Sequence, residues 1–235
     1  MNARTIVIGD IHGCYDELVA LLDKTRAGAG ARIIAVGDLI VKGERNREVL
    51  DLFMSDARFS SVLGNHDRAL LRYWRGKKKK LNEQQEQCRR ELESGRERYE
   101  AYLGSLPLTL DLGAHLVVHA GLRPGVALAD QSAKDLTELR TLEGKRSSPK
   151  GTPWYEVYDG AQTVLFGHWP APVVRRAERA IGLDTGCVYG YDLTAYVVET
   201  GEFFQVRAAR AYDAPGKRLR KAKKRLSAEE LKDEG

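Results

Sequence analysis

Three short apolar runs in this sequence each end at a glycine that is followed by a residue able to bind a metal ion. Residues 5–8 precede Gly9-Asp10, residues 32–36 precede Gly37-Asp38, and residues 60–63 precede Gly64-Asn65. Apolar runs of this length that end at glycine are typical of buried strands. Since α/β proteins place their sites in loops at the carboxyl ends of strands, the sequence predicts an α/β fold with a site built from several strand ends.

Helical patterns separate these strands. The spacing of Leu18, Leu21 and Leu22 predicts a helix with Asp16 as its N-cap, and residues 47–54 predict a second helix. Residues 69–103 are highly charged and predict exposed helices. Further strands are predicted at residues 116–119, 163–166, 194–198 and 203–206. We interpret the chain as one domain over residues 1–212, with a charged helical cap inserted at about 69–105 and a basic, disordered or loosely helical tail over residues 213–235.

The net charge of +5 is unevenly distributed along the 235 residues. Much of the excess lies in Lys77–Lys80 and in residues 217–225. Basic segments favour anionic partners, which include nucleotides, nucleic acid and acidic surfaces, although a charge run is commonly only a solvated face. The basic tail has no interleaved aromatic residue to stack on bases, which favours a solubilising role over RNA binding.

The sequence predicts a cytoplasmic protein without a membrane segment. No apolar run approaches the roughly 20 residues that span a bilayer, and the N-terminus lacks the long apolar stretch of a signal peptide. Cys14, Cys88 and Cys187 are widely separated. Their odd number and their spacing predict reduced thiols rather than a disulfide framework or a thiolate metal site.

Residues that can bind metal are concentrated in five of the predicted loops. They are Asp10 and His12, Asp38, the run Asn65-His66-Asp67, His119 and His168, and they include four of the five histidines of the chain. Each motif alone is common in turns and caps, but histidines placed for packing would not collect at strand ends. Carboxylate, imidazole and amide-oxygen ligands suit manganese, iron, zinc or magnesium better than copper(I) or an iron–sulfur cluster. A carboxylate that bridges two ions about 3.5–4 Å apart can support attack of hydroxide on a phosphoryl group.

The five segments occur in the order GDxHG, GDxxxxG, GNH(D/E), a later histidine and GH, over residues 9–168. In this order they resemble the signature of the calcineurin-like metallophosphoesterases. The resemblance implies a sandwich of two mixed β-sheets flanked by helices. It also implies two divalent ions, with Mn²⁺ expected and Fe, Zn, Co, Ni or Mg as alternatives, and cleavage of phosphate ester or anhydride bonds by a metal-bound hydroxide.

The resemblance further implies a role for each matched residue. Asp10 and His12 are expected to bind the first ion, Asp38 to bridge both ions, and Asn65, His119 and His168 to bind the second ion. His66 is similar to the family's general acid, which protonates the leaving oxygen and would contribute roughly 10²–10⁴ in rate.

The second motif differs between branches of this family. In protein serine/threonine phosphatases it reads GDxVDRG, whereas here Val41 and Lys42 occupy the positions of that Asp and Arg. Valine cannot orient the general acid, so we expect Asp67 to do so. Lysine keeps a phosphate-binding charge without the bidentate geometry of arginine. This motif, together with residues 119–125, 167–169 and 182–190, resembles the ApaH-like branch of symmetrical diadenosine tetraphosphatases. One departure is Glu44, where a proline commonly follows the glycine.

We therefore predict a hydrolase of nucleotide or phosphoester substrates that splits diadenosine tetraphosphate into two ADP. His66 and Asp67 are the predicted catalytic residues, and Lys42, Arg123 and Tyr189 are candidate substrate contacts. Capped RNA or phosphoproteins are alternative substrates. A protein serine/threonine phosphatase with broad phosphomonoesterase activity would share every metal ligand. A non-catalytic polyanion-binding protein is disfavoured because no predicted ligand is missing. The metal, the physiological substrate and the oligomeric state stay open.

Overall fold

A computed structural model describes residues 4–28, 30–216 and 219–222, and in this part of the chain ten strands form two five-stranded sheets. The first sheet contains β1 (Thr5–Ile8), β2 (Arg32–Ala35), β3 (Phe59–Ser61), β9 (Asp192–Val197) and β10 (Phe203–Arg207), in the order β10-β9-β1-β2-β3. The second contains β4 (Thr109–Asp111), β5 (His115–Val118), β6 (Thr163–Phe166), β7 (Arg175–Ala177) and β8 (Ala180–Gly182), in the order β4-β5-β6-β8-β7. Both sheets mix parallel and antiparallel pairs, which confirms the predicted fold class.

The central strands are apolar throughout because both faces of each sheet are covered. In β1, Val7 packs in a cluster with Leu165 of β6, which lies between the two sheets. Ile6 and Ile8 belong instead to the cluster that joins the first sheet to its helices. Successive side chains of a strand point to opposite faces of the sheet. The four residues of β1 therefore contribute side chains both to the core between the two sheets and to the core between the first sheet and its helices.

Besides the short helical piece at residues 219–222, six α-helices flank the sheets in the described residues: α1 (Tyr15–Lys24), α2 (Asn46–Ser55), α3 (Asn65–Trp74), α4 (Glu83–Leu92), α5 (Arg96–Ser105) and α6 (Ala133–Glu138), with short 3₁₀ helices at Glu93–Gly95, Leu128–Asp130 and Trp154–Glu156. The first five α-helices share a hydrophobic core cluster with the first sheet, and α6 shares one with the second sheet. The predicted N-cap of α1 is wrong, because the helix begins at Tyr15 with Cys14 as its N-cap. Asp16 lies in the first turn, where a negative charge is favourable to the helix dipole.

The charged segment after the third strand is helical as predicted, but its helices are not exposed throughout. Leu92 of α4 and Tyr99 of α5 are buried in the cluster that also contains the outer face of the first sheet. Glu91 of α4 accepts a hydrogen bond from Asn46 Nδ2 at 2.6 Å. The helices therefore support the core of the first sheet, and the boundaries of the cap and of the domain stay predictions.

The sequence patterns did not predict β4, β7 and β8, each of which is three residues long. Three residues are too few for an alternating pattern to be recognised. The predicted tail lies mostly outside the described residues. Within them, residues 219–222 are helical and Leu219 is buried beside Gly186.

None of the helices in the described ranges is long and apolar enough to cross a membrane. The cytoplasmic location stays a prediction.

Candidate metal centre

The carboxyl ends of six parallel strands meet at one edge of the sandwich. β1, β2 and β3 run parallel in the first sheet, and β5, β6 and β8 run parallel in the second. Neighbouring parallel strands end at the same edge of a sheet, which is where α/β proteins place their sites. The six predicted metal ligands all follow such ends: Asp10 and His12 after β1, Asp38 after β2, Asn65 after β3, His119 after β5 and His168 after β6.

Asp38 belongs to two groups of side chains whose metal-binding atoms lie within 4.8 Å of one another. One group contains His12 and His66, and the other contains Asp10 and His119. Asp38 Oδ2 lies 3.6 Å from His12 Nε2 and 3.4 Å from His119 Nε2. A carboxylate shared by two groups of ligands is what a bridging ligand of a binuclear centre requires.

The side chain of Asn65 supports a cation at this site. Its Oδ1 lies 3.0 Å from His119 Nε2 and 2.8 Å from His168 Nδ1. With the amide turned over, its nitrogen would donate to the same two ring nitrogens and to Asp38 Oδ2 at 3.3 Å, so in either orientation the Asn65 side chain converges with His119, His168 and Asp38. His168 Nε2 is buried and has no hydrogen-bond partner in the described part of the chain. Converging oxygen and imidazole ligands are the set that manganese, iron and zinc accept, so the residues fit a divalent ion.

Backbone carbonyls orient two of the imidazoles. The Nδ1 atom of His119 lies 2.8 Å from the carbonyl oxygen of Val36, and the Nδ1 atom of His12 lies 3.2 Å from that of Ile40. A carbonyl oxygen only accepts, so Nδ1 carries a proton in both rings, and Nε2, which faces Asp38, is the nitrogen that would bind a metal. This arrangement fixes the tautomer that a metal ligand needs before any ion binds.

The loops that carry the ligands have a strained backbone. Six non-glycine residues of the described chain have a positive φ angle, and five of them lie in these loops: His12 (51°), Asp38 (51°), His168 (67°), Val41 (76°) and Lys42 (79°). Such conformations cost about 1–3 kcal/mol each and persist only where the surroundings hold them. For the Val41–Lys42 turn, Asn46 Oδ1 accepts a hydrogen bond from Val41 N at 2.7 Å. Backbone strain is thus concentrated where the side chains must converge.

The pKa values separate the imidazoles into two classes. Burial lowers the pKa of His12 and His168, and the nearby Lys42 and Arg140 charges lower them further, so both rings are neutral. Burial also lowers the pKa of His119, but the Asp38 carboxylate outweighs it and raises this pKa to about 9. Burial raises the pKa of Asp10, and the carboxylate of Asp184 adds to this effect.

Comparison with known proteins identifies the family of the chain and its fold. The sequence profile of the calcineurin-like phosphoesterases matches residues 3–201. The chain belongs to this family. Among solved structures, a candidate diadenosine tetraphosphatase superposes with a TM-score of 0.74 at 31% identity, over 88% of this chain and 95% of the other. A protein serine/threonine phosphatase from Saccharomyces cerevisiae, with a TM-score of 0.67 at 17% identity over 91% of this chain and 82% of its own, shows the same fold.

Curated relatives of this calcineurin-like phosphoesterase include both types of dinucleoside tetraphosphatase. PrpE of Bacillus subtilis (strain 168), named an asymmetrical bis(5'-nucleosyl)-tetraphosphatase, is 31% identical over 234 residues, which are 88% of this chain and 96% of PrpE. A symmetrical bis(5'-nucleosyl)-tetraphosphatase of Neisseria gonorrhoeae is 28% identical over 267 aligned positions, with the same two coverages. The chain is therefore a metallophosphoesterase, and its predicted symmetrical cleavage stays a prediction.

Two of the three predicted substrate contacts of the phosphoesterase lie together at the metal centre. The Lys42 Nζ atom is 3.0 Å from His12 Nε2 and 5.1 Å from the centre of the Tyr189 ring. Burial lowers the pKa of Lys42, but Tyr189, Asp38 and Asp184 together raise it above its ordinary value. The ammonium is thus charged and available to an anionic ligand.

The third predicted substrate contact, Arg123, is not brought into the site. Its Nε and Nη2 atoms lie 3.2 Å from the carboxylate oxygens of Asp135, and its Nη1 donates to the carbonyl oxygen of Leu142 at 3.3 Å. It lines a separate pocket of about 280 Å³ with Pro124 and Tyr158. The contacts of Arg123 in the described residues tie together the segment that follows β5, and its role as a substrate contact stays a prediction.

Sequence reasoning missed Arg140 and Asp184, which the structure brings to the centre. Arg140 Nη2 donates to the carbonyl oxygen of His168 at 2.8 Å, and its Nε is buried without a hydrogen-bond partner in the described residues. Asp184 follows β8 and is buried close to Asp10, Lys42 and Arg140. β8 was not predicted, so the position of Asp184 at a sixth strand end could not be recognised. Arg140 follows no strand and gives no such signal.

Asp67 does not orient His66, contrary to the prediction. The Asp67 carboxylate is fully buried and accepts hydrogen bonds from the backbone amides of Gly64 (3.1 Å), Ile40 (3.3 Å) and Leu39 (3.4 Å). The His66 Nδ1 atom has no hydrogen-bond partner in the described residues. Asp67 therefore joins the loops that follow β2 and β3, and it acts on the backbone that carries the ligands.

His66 occupies the second position of α3, next to Asn65. Its backbone amide donates to Asp38 Oδ1 at 2.8 Å, and its ring packs edge-on against His12 with 5.1 Å between the ring centres. Burial lowers the pKa of His66 to about 4; the Asp38 carboxylate opposes this, and Lys42 reinforces it. A phosphate dianion bound beside the ring would raise this pKa again, because a negative charge favours the protonated imidazole.

Proposed function

We propose that this phosphoesterase hydrolyses the phosphoanhydride bonds of dinucleoside polyphosphates. The observation that carries the proposal is that Asp38 belongs to both groups of potential metal ligands and lies beside the positive charges of Lys42 and Arg140. A chain of phosphates brings several negative charges to one place, and preorganised cations around a metal centre stabilise that charge as it develops. The names of the relatives as bis(5'-nucleosyl)-tetraphosphatases support this class of substrate.

The six ligands described above are proposed to hold two divalent ions, with Mn²⁺ as the expected metal. When bound, such ions would activate water and neutralise charge on the phosphoryl group. Asp38 is proposed to hold the ions together, and Asp67 to hold the loops of Asp38 and Asn65 in register through its backbone hydrogen bonds.

Lys42 and Arg140 are proposed to bind the non-bridging oxygens of the substrate. The Lys42 ammonium lies 3.0 Å from His12 Nε2 and 5.1 Å from the centre of the Tyr189 ring, and the carbonyl oxygen of His168 anchors Arg140, so both cations are held beside the ligands. The free, buried Nε of Arg140 is the donor that a phosphate oxygen would satisfy. These contacts orient the phosphoryl group for attack.

His66 is proposed to donate its proton to the leaving oxygen. Its place on the first turn of α3 keeps the ring next to Asn65 and Asp38. The leaving oxygen of an anhydride already departs as a stable phosphate anion, so a proton donor should matter less there than for an alkyl phosphate.

The test is product analysis with diadenosine tetraphosphate and Mn²⁺, beside a phosphopeptide and with His66→Asn as the control. Rapid conversion to ADP alone supports symmetrical cleavage, whereas AMP and ATP in equal amounts would show asymmetrical cleavage of the same substrate class. A strong preference for the phosphopeptide would overturn the proposal and indicate a phosphoprotein phosphatase. Equal, negligible turnover by wild type and variant on all substrates would leave only polyanion binding.

A further inference from the structure

A strongly basic groove opens beside the metal centre. It has a volume of about 320 Å³ and is lined by Arg68, Arg72, Lys77, Lys78 and Lys134, together with Asn65, Ala69 and Glu138. Asn65, Arg68 and Arg72 lie on one face of α3, since residues three to four apart on a helix are neighbours. Lys77 and Lys78 come from the loop after α3, and Lys134 from α6. We refer to this set as the basic groove.

The charge of the basic groove is not balanced by the protein. Arg68 Nη1 lies 3.8 Å from Glu138 Oε1, which is the one carboxylate of the lining. Arg72, Lys77, Lys78 and Lys134 form no ion pair in the described ranges of the chain, and Arg72 Nη2 donates only to the carbonyl oxygen of Lys77. Clefts lined by charge of one sign raise the local concentration of the opposite charge. The groove is therefore suited to an anion with several charges.

The position of the basic groove connects it to the chemistry. Asn65 lines the groove and also faces His119 and His168 at the metal centre. His66 is the next residue, and the Lys78 charge acts on its imidazole. The lining does not include Lys42, Tyr189 or Arg140. Under the proposed function, the side of the centre next to His66 is the side from which the leaving group departs.

The leaving group of a phosphoanhydride needs cations more than it needs a proton, because it departs as a phosphate with several charges. Small-molecule sites have volumes of roughly 300–1,000 Å³, so a groove at the lower end of this range suits a short phosphate chain better than a complete nucleotide. We propose that the basic groove binds the phosphates of a polyphosphate leaving group, and that it makes the enzyme prefer such substrates over phosphate esters of uncharged alcohols. This inference rests on the proposed function, because it uses His66 to define the side of departure.

The Lys77–Lys80 run provides a matched pair of variants. Lys77 and Lys78 line the groove, whereas Lys79 and Lys80 are exposed and do not. The double substitutions Lys77→Ala/Lys78→Ala and Lys79→Ala/Lys80→Ala remove the same charge from neighbouring positions. The kcat/KM of each double variant is measured with diadenosine tetraphosphate and with p-nitrophenyl phosphate. The inhibition constant of tripolyphosphate is measured against the hydrolysis of p-nitrophenyl phosphate.

For Lys77→Ala/Lys78→Ala we compare kcat/KM for diadenosine tetraphosphate with kcat/KM for p-nitrophenyl phosphate. We expect the ratio of the first to the second to fall by about tenfold, chiefly through KM, as the loss of two solvent-accessible charge contacts would give. The inhibition constant of tripolyphosphate should rise by a similar factor. Lys79→Ala/Lys80→Ala should change neither quantity more than about twofold, the size expected for distant, screened charges.

Equal effects of the two double variants would overturn the proposal, because they would show a general effect of net charge. A parallel loss with both substrates would also overturn it, since that result indicates damage to the metal centre. If the wild type does not cleave the tetraphosphate, the proposed function fails. Weakening of tripolyphosphate inhibition in Lys77→Ala/Lys78→Ala alone would still support the groove as a phosphate-chain site, and unchanged inhibition would refute it.

Discussion

The substitution Asp67→Asn tests whether this carboxylate acts on the backbone or on the general acid. In the structure, Oδ2 accepts from the amides of Gly64 and Leu39, and Oδ1 accepts from Ile40. Asparagine keeps one oxygen and turns an NH₂ group toward the remaining amides, so one or two of the three hydrogen bonds are lost. A hydrogen bond to a charged group contributes about 1.5–3 kcal/mol, and these bonds are long, so the free energy of unfolding should fall by about 2–4 kcal/mol.

For a chain of this length, such a loss corresponds to a fall in Tm of about 5–12 °C. Burial raises the pKa of Asp67 to about 7, so thermal unfolding is measured at pH 8, where the carboxylate is ionised. The metal concentration is kept constant, because ligands that bind the folded state stabilise it by mass action. Asp23→Asn, at an exposed position of α1, is the matched control and should change the stability by at most about 0.5 kcal/mol.

Activity separates the two roles of Asp67 further. His66→Asn should lose roughly 10²–10⁴ in rate with an alkyl phosphate and much less with p-nitrophenyl phosphate, whose leaving group needs no proton. If Asp67 supports only the backbone, Asp67→Asn should lower both rates together and leave their ratio within about threefold of wild type, because it does not touch the donor. A variant with unchanged Tm and a ratio shifted like that of His66→Asn would refute the structural role.

Asp38→Asn should abolish the binding of two ions, and metal analysis of the purified variant that found two tightly bound ions would exclude a bridging role. Metal binding by the apoprotein should release protons near pH 7.5. Burial lowers the pKa of His119, but Asp38 raises it to about 9, above the ordinary 6.5. The bound proton therefore stabilises the folded apoprotein fully below pH 6.5, and this stabilisation is lost as the pH rises through about 9. A metal that binds His119 must displace this proton. Calorimetry in buffers of different ionisation enthalpy measures this release, and no buffer dependence would contradict it. Arg140→Ala should lower kcat/KM for diadenosine tetraphosphate by about 10² or more, as the loss of a charge-assisted phosphate contact implies. Arg123→Ala should change kcat/KM for diadenosine tetraphosphate only a few-fold but should lower Tm, because the substitution breaks the ion pair with Asp135. A large loss of kcat/KM with an unchanged Tm would instead indicate that Arg123 contacts the substrate.

Much of the fold, and the residues that converge at the candidate metal centre, could be predicted from the sequence. Runs such as Thr5–Ile8 are apolar on both faces, which only a covered sheet explains, and each is followed by a glycine and a ligand. The order of the ligand motifs along the chain was enough to indicate the family, which the profile match over residues 3–201 confirms. Local pattern carries this information because strands, turns and ligand types are properties of neighbouring residues.

The tertiary structure alone decided which polar residues act together. Asp67 stands next to His66 in the sequence, yet its carboxylate faces Ile40, because consecutive residues on a helix point in different directions. Arg123 lies close to His119 in sequence but pairs with Asp135. Lys77 and Lys78 line a groove while the lysines that follow them do not. Arg140 reaches the centre from 28 residues before His168. Such contacts depend on how distant segments pack, and no local pattern of residues records that packing.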